Sequence, residues 1–437
     1  VKLRLVQRLL LALARRAVRV HYRVQYLGGS VPATGPVLLV GNHPNGLVDP
    51  VLVASTTTRT VRFLGKAPLF EMPGLGQVMR GLEVLPVYRA QDGADTGANA
   101  RTFEAVYGAL AAGELVCLFP EGKSHDEPEL SELKTGAARM ALGAEARAGW
   151  RLGVRIVPVG LVYRSKRRFR SRVAVWTGAP LVLDDLAALY GHDERAAVHA
   201  LTARIADGLR AVTLELEQWE DLPLLELAER ILFDERTGRV ERLRDFALRL
   251  RELRASEPTR LDELGERIAA FGERLARLGL SARDLPEKLL LEYTPTTVAR
   301  FVASAALRLG LVLPLAALGA LFWFLPYRLV GQLAPRLATP DTLATVRILA
   351  GLVLFPLWLA LAALLVGLGA GPGAALVLAL LAAMLGPVAL AFRDWERWAR
   401  GEVRTFLRVA SRRRLRELLV REREALAGEL ARLGPPG

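Results

Sequence analysis

The stretch Gly41-Asn42-His43-Pro44-Asn45-Gly46-Leu47-Val48-Asp49-Pro50 follows a short apolar run, Val37 to Val40, and carries an imidazole and a carboxylate six positions apart. A regular helix would turn those two side chains to different faces. Pro44, Asn45 and Gly46 favour a turn instead, and a turn lets the Asp49 carboxylate reach one ring nitrogen of His43. With that nitrogen's proton held by Asp49, the other nitrogen can take a proton from a hydroxyl, which is general-base chemistry. Taken alone, the pair has a competing reading as a structural histidine in a capped turn.

Other polar groups gather in similar places. Leu82 to Arg89 (LEVLPVYR) ends an apolar run with Arg89, and Leu118 to Asp126 (LFPEGKSHD) ends another with Glu121, Gly122 and Lys123 in a row. Asn42 adjoins His43 as a substrate-side polar group, and Lys66 in FLGKAPLF is a phosphate contact or a solvated lysine. The elements that must position them alternate between short β-rich and longer amphipathic runs. Expected strands are Val37–Val40, Val61–Leu64, Glu83–Val87, Leu115–Phe119, Ile156–Tyr163 and Val173–Trp176, with helical stretches such as 99–112 and 134–148 between them. That alternation implies an α/β layered domain with a mixed sheet flanked by helices, and crevices form at strand carboxyl ends.

The 437 residues hold 59 Lys and Arg against 45 Asp and Glu, for a formal +14, yet 52% are hydrophobic. Such a chain is neither disordered nor membrane throughout, so its apolar excess must be concentrated. The single cysteine, Cys117, forms no internal disulfide and sits in an apolar run, as a buried small hydrophobe would. A reducing, cytosol-facing location is the default. Between Arg347 and Arg393 the chain is uncharged for about 45 residues, more than twice the roughly 20 that cross a bilayer as helix. Gly367, Gly369, Gly371, Pro372 and Gly373 split it into a hairpin, 348–366 and 374–392. A weaker segment, 309–327, holds Pro314 and Pro326 and either spans or re-enters. Positive-inside bias does not settle its orientation, since three spans cannot place every arginine cluster on one side.

At both ends the chain is basic and amphipathic. Arg4, Arg8, Arg15, Arg16 and Arg19 share one side of a helix whose other side carries Leu3, Val6, Leu9, Leu10, Leu13 and Ala17. That pattern suits a helix lying at the interface with its arginines on anionic head groups, or one packed on the soluble domain. The tail places Trp395 and Trp398 at head-group level, followed by Arg412, Arg413, Arg414 and Arg416. No nucleic-acid partner is expected, since aromatics do not interleave with these cations. The expected organisation is an interfacial helix (1–21), a catalytic α/β domain (22–182), a helical linker (183–297), a membrane region of two or three helices (298–393) and a basic amphipathic tail (394–437).

NHPNGLVDP, GLEVLPVYR, FPEGKSH and VPVGLVY occur in that order over residues 20–182, and together they resemble the four motif blocks of the glycerolipid acyltransferases. Five residues between His43 and Asp49, in place of the usual four, and Lys123-Ser124-His125 after Glu121-Gly122 are similar to the yeast-type glycerol-3-phosphate and dihydroxyacetone-phosphate acyltransferase branch. Leu133-Lys134-Thr135-Gly136-Ala137-Ala138-Arg139 continues the third block in the same manner. The resemblance implies an acyl thioester donor, acyl-CoA or acyl-ACP, with an acyl carrier protein as the alternative carrier. It implies a phosphorylated glycerol acceptor: glycerol 3-phosphate, dihydroxyacetone phosphate or lysophosphatidate. His43 would be the base and Asp49 its partner, with no metal, no cofactor and no covalent acyl-enzyme. Arg89, then Lys123 or Lys134, would hold the acceptor phosphate, and Glu121 and Gly122 would belong to its pocket. Anionic lipids complete the partners of a cell-membrane protein whose catalytic domain faces the cytoplasm. A thioesterase or lipid hydrolase and a non-catalytic membrane scaffold are the rivals, although no G-x-S-x-G elbow occurs.

Overall fold

The computed structural model describes residues 2–88, 97, 99–233, 239–278, 295–338, 342–405, 407 and 413–432. Arg89 and Arg412 lie outside this set, as do the side chains of Leu3, Arg4, Val6, Arg8, Arg413 and Arg416. The chain divides into two units, Val1–Glu215 with Pro335–Ile348, and Leu216–Ala334 with Leu349–Gly437.

In the first unit, α1 (Lys2–His21) and β1 (Tyr22–Gly28) lead to β2 (Val37–Gly41), α2 (Val48–Ala54), β3 (Val61–Lys66), α3 (Leu75–Gly81), β4 (Leu85–Val87) and α4 (Asn99–Ala111). Then come β5 (Leu115–Leu118), α5 (Gly136–Arg147), β6 (Arg155–Tyr163), β7 (Ser171–Thr177), α6 (Ala187–His192) and α7 (Glu194–Arg210). The seven strands form one mixed sheet in the order β1-β7-β6-β2-β5-β3-β4. β6, β2, β5, β3 and β4 run parallel, and β7 turns back against β6 with β1 parallel to it.

The central strands are apolar throughout because both of their faces are covered. Leu38, Val40, Val116 and Leu118 pack with α4, α5 and α7, whereas their neighbours Val37, Leu39, Leu115 and Cys117 pack towards α1 and α2. That alternation is the strand period of two. Complete burial pushes the Cys117 thiol up, which leaves it an inert hydrophobe.

One boundary differs from the sequence expectation. The α/β unit runs to Glu215 rather than ending at 182, because α7 gives Ala197, Leu201, Ile205 and Leu209 to the sheet's core. Its helical pattern resembles the linker's, and the sequence does not say which surface that apolar stripe covers. α1 docks on the unit through Leu11 and Val18. Arg15, grouped above with the lipid-facing arginines, instead turns inward, its guanidinium donating to Ser55 Oγ at 3.2 Å and to the carbonyls of Ala54 and Thr57 at the end of α2. Leu9, Leu10 and Leu13 remain exposed.

The second unit contains α8 (Asp221–Leu232), α9 (Arg239–Ser256), α10 (Pro258–Arg277), α11 (Pro295–Leu307), most of α12 (Leu313–Leu337) and of α13 (Leu343–Ala370), α14 (Pro372–Thr405) and α15 (Arg413–Arg432). A π-turn, Arg308–Val312, joins α11 to α12. Among the described residues, three helical runs are long and apolar enough to cross a membrane: Pro295–Leu337, Leu343–Ala370 and Pro372–Gly401. The first continues unbroken through Pro314 and Pro326. Gly371, with φ +88°, breaks the second from the third within the expected glycine cluster. Leu321 is 75% exposed and Leu368 79%, as side chains facing lipid would be. The tail behaves differently from α1. Leu419, Leu426 and Leu430 of α15 are buried with Leu227, Ile231, Leu264 and Phe271 of α8 and α10, so its apolar face is filled by protein.

Candidate active site

Every chemically interesting turn of the first unit leaves the carboxyl edge of its parallel strands, where chain reversals open a crevice. β2 ends at Gly41, and Asn42 and His43 follow it; β5 ends at Leu118, with Glu121 three residues on. After His43 the chain turns through Pro44, Asn45 and Gly46, whose φ is +38°, and enters α2, where Asp49 lies in the first turn. A Cβ on Gly46 would approach Thr345 Oγ1 at 3.1 Å, so the start of α13 backs this turn.

That turn brings His43 Nδ1 to 2.9 Å from Asp49 Oδ2. Asp49 is fully buried, yet both of its oxygens are satisfied, since Oδ2 also accepts from the Asn45 amide at 2.6 Å and Oδ1 accepts from the Tyr163 hydroxyl at 2.6 Å. Burying a carboxylate is costly unless donors satisfy its oxygens, and these donors do so. Burial first, and the Asp49 charge after it, hold the Tyr163 hydroxyl well above its ordinary pKa and so keep it a donor. The His43 ring stacks on Phe119, with centroids 4.1 Å apart and planes 13° from parallel. With Nδ1 on Asp49, Nε2 lies at the opposite side of a ring whose side chain is 20% exposed.

A second pair supports the first. Glu121 is buried, and its Oε1 accepts from the His43 amide at 2.8 Å while Oε2 meets His125 Nε2 and accepts from the Ser131 amide at 2.9 Å. The His125 amide donates to the His43 carbonyl at 3.3 Å, and the Gly46 amide donates to Ser124 Oγ at 3.2 Å. Lys166 clamps both loops, its ammonium donating to the carbonyls of Pro44 at 2.7 Å and His125 at 3.0 Å and pairing with Asp126 at 2.7 Å.

The expected acceptor residues are less gathered. Asn42 is taken up by the protein: its Nδ2 donates to the Leu161 carbonyl at 3.1 Å and its Oδ1 accepts from the Leu161 amide at 2.7 Å, so it ties β2 to β6. Glu121 is likewise occupied by the contacts above. Gly122 adopts φ +71°, which favours glycine, and a Cβ there would meet the Lys134 side chain at 3.6 Å. Lys123 and Lys134 are exposed, and Lys66 is exposed at the end of β3. Arg89 is outside the described residues. Tyr163, Phe119, His125, Lys166 and Tyr22, which accepts from Asn45 Nδ2 at 3.0 Å, were not singled out as site residues from sequence. For Tyr163 the available signal was a tyrosine ending a strand at the crevice edge.

Known proteins share this arrangement of sequence. Residues 23–162 match the family described as Acyltransferase. Over 134 residues it is 37% identical to Glycerol-3-phosphate O-acyltransferase 2 of Saccharomyces cerevisiae, a match covering 30% of this chain and 18% of that protein. Glycerol-3-phosphate O-acyltransferase 1 of the same yeast is 36% identical over 132 residues, covering 30% and 17%. The chain therefore spans less than a fifth of the length of these curated relatives. Among solved structures, a 1-acyl-sn-glycerophosphate (LPA) acyltransferase from Thermotoga maritima is 18% identical, with a TM-score of 0.36 over 48% of this chain and 81% of that one.

Proposed function

We propose that this protein is a membrane-bound glycerolipid O-acyltransferase that moves a fatty acyl chain from an acyl thioester to a hydroxyl of a glycerol-phosphate acceptor. The observation that carries the reading is the His43–Asp49 pair, with its carboxylate enclosed and its outer ring nitrogen turned from that carboxylate. His43 Nε2 removes the acceptor hydroxyl's proton as the oxygen attacks the thioester carbonyl. The tetrahedral intermediate then expels the thiolate, which takes the proton back from the imidazolium. Asp49 holds Nδ1–H and stabilises the cation between the two transfers. General-base help contributes roughly 10²- to 10⁴-fold, so positioning of the two substrates must provide most of the remainder.

The activity named for the yeast relatives supports glycerol 3-phosphate as acceptor. Arg89, two residues past β4 in the sequence, holds its phosphate, with Lys123, after β5, and Lys66, at the end of β3, as further cations. Attachment to the cell membrane, with the catalytic unit on the cytoplasmic face, gives an oily donor and a lipid product direct access to the bilayer.

Thiol release from a long-chain acyl-CoA tests the reading. Release that depends on glycerol 3-phosphate is expected. Release without acceptor would indicate a thioesterase, and none with acyl-CoA or acyl-ACP would indicate a scaffold. Running glycerol 3-phosphate, dihydroxyacetone phosphate and lysophosphatidate in parallel assigns the acceptor, and Arg89→Ala should raise the acceptor KM far more than the thioester KM.

A further inference from the structure

The turn between β6 and β7 reads Arg164-Ser165-Lys166-Arg167-Arg168-Phe169-Arg170-Ser171-Arg172, five arginines and a lysine without one acid. Lys166 is committed to the site loops, and Arg167 reaches Asp126 at 3.2 Å while staying 55% exposed. Arg168 is exposed beside it. Arg170 donates to the Arg19 carbonyl at 3.4 Å, which joins this turn to the end of α1. The strand register sets exposed Arg172 beside exposed Arg23, which extends the run of cations from this turn along the β1–β7 edge.

Arg347 gives this patch a depth. Its guanidinium donates to the carbonyl of Arg167. It is also the last charged residue before the uncharged run from Ile348 to Phe392, so in a spanning α13 it lies where hydrocarbon gives way to head groups. A turn bonded to Arg347 therefore lies at head-group level. Lys166 bonds the same turn to the His43 loop.

We propose that the β6–β7 turn, with Arg347, is a binding surface for the phosphates of anionic phospholipids, and that it seats the mouth of the site against the leaflet. Guanidinium groups suit phosphate oxygens, and several at one level add attraction to an anionic surface. This role goes beyond the acyl-transfer reading and does not depend on it.

The test uses the full chain with Ser165→Cys labelled by an environment-sensitive fluorophore, since the native Cys117 is buried. The protein is placed in nanodiscs of phosphatidylcholine, with or without phosphatidylglycerol, each doped with a head-group quencher. Phosphatidylglycerol should deepen the quenching several-fold, salt should reduce that gain, and an added Arg167→Gln/Arg168→Gln pair should abolish it. Equal quenching in both lipids, or no effect of the pair, would overturn the proposal. If inorganic phosphate reproduces the change in phosphatidylcholine discs, the site is one for free phosphate and the lipid assignment fails. Acyl transfer in detergent should be the same for the pair and its parent; a raised acceptor KM there would reassign the arginines to the acceptor and overturn the proposal. Quenching does not depend on turnover, so an inactive protein with intact quenching changes would refute only the acyl-transfer reading.

Discussion

His43–Asp49 and His125–Glu121 are both imidazoles set against buried carboxylates, and a backbone hydrogen bond from His125 to His43 joins them, yet their ring nitrogens have different fates. His125 spends both. Its Nδ1 accepts from the Glu127 amide at 3.2 Å, which places the proton on Nε2, facing Glu121 with Ser131 Oγ also at 3.2 Å. His43 spends one on Asp49 and stacks its flat face on Phe119. The buried carboxylate is common to both, so it does not by itself mark a base. A base also needs a nitrogen left over for the substrate, and only the His43 geometry provides for one. Glu121 then has a different task, holding the His43 amide while its other oxygen anchors the His125 loop.

Breaking each pair should separate the two tasks. His43→Ala should have the largest effect, lowering kcat by roughly 10²- to 10⁴-fold without changing membrane association. Unchanged turnover would remove His43 as base. Asp49→Asn comes next, since an amide NH₂ would face one of the three donors now directed at the carboxylate. An unsatisfied buried group of that kind costs about 1–3 kcal/mol, or roughly 10- to 100-fold if it falls on the transition state. His125→Ala should cost less, about tenfold in kcat through a displaced His43 loop. His125→Gln should recover much of that, because its amide can still donate to Glu121. If His125→Ala matched His43→Ala in size and glutamine gave no rescue, the two assignments would have to be exchanged.

The inner strands and the His43–Asp49 turn were legible because their signals are local. Val37 to Val40 is a continuous apolar run and Pro44-Asn45-Gly46 is a turn. β1 was not expected as a strand, since as an edge strand it buries Tyr22 and leaves much of Arg23 to Gly28 exposed, which blurs any apolar run. Tyr163 lies 114 positions from Asp49, and Lys166 lies 122 from Pro44. Contacts at such separations depend on the strand order, which no spacing reveals. The two basic ends looked alike for the same reason. α1 and α15 both alternate leucine with arginine, but whether a leucine face meets protein or remains exposed depends on the helices that lie beside it.

His21, a third histidine without a carboxylate partner, sharpens the comparison from the other side. It is buried between Tyr22 and Phe169, its Nε2 has no hydrogen-bond partner, and burial, with a smaller contribution from Arg347, pushes it down to about 4. In the unfolded chain an ordinary histidine titrates near 6.5. Between those values the unfolded state binds more protons than the folded one, so stability is full above about pH 6.5 and falls as pH drops towards 4. The loss attributable to His21 approaches about 3 kcal/mol at the acid end, as an upper figure, from 1.36 kcal/mol per unit. His21→Phe keeps a ring beside Tyr22 and Phe169 and removes the titration, so its melting temperature in detergent should fall less between pH 7 and pH 5 than that of the parent. Acyl transfer at neutral pH should change little. Parallel acid curves for the two proteins would show that His21 is protonated in the fold, which would require an acidic partner like those of His43 and His125.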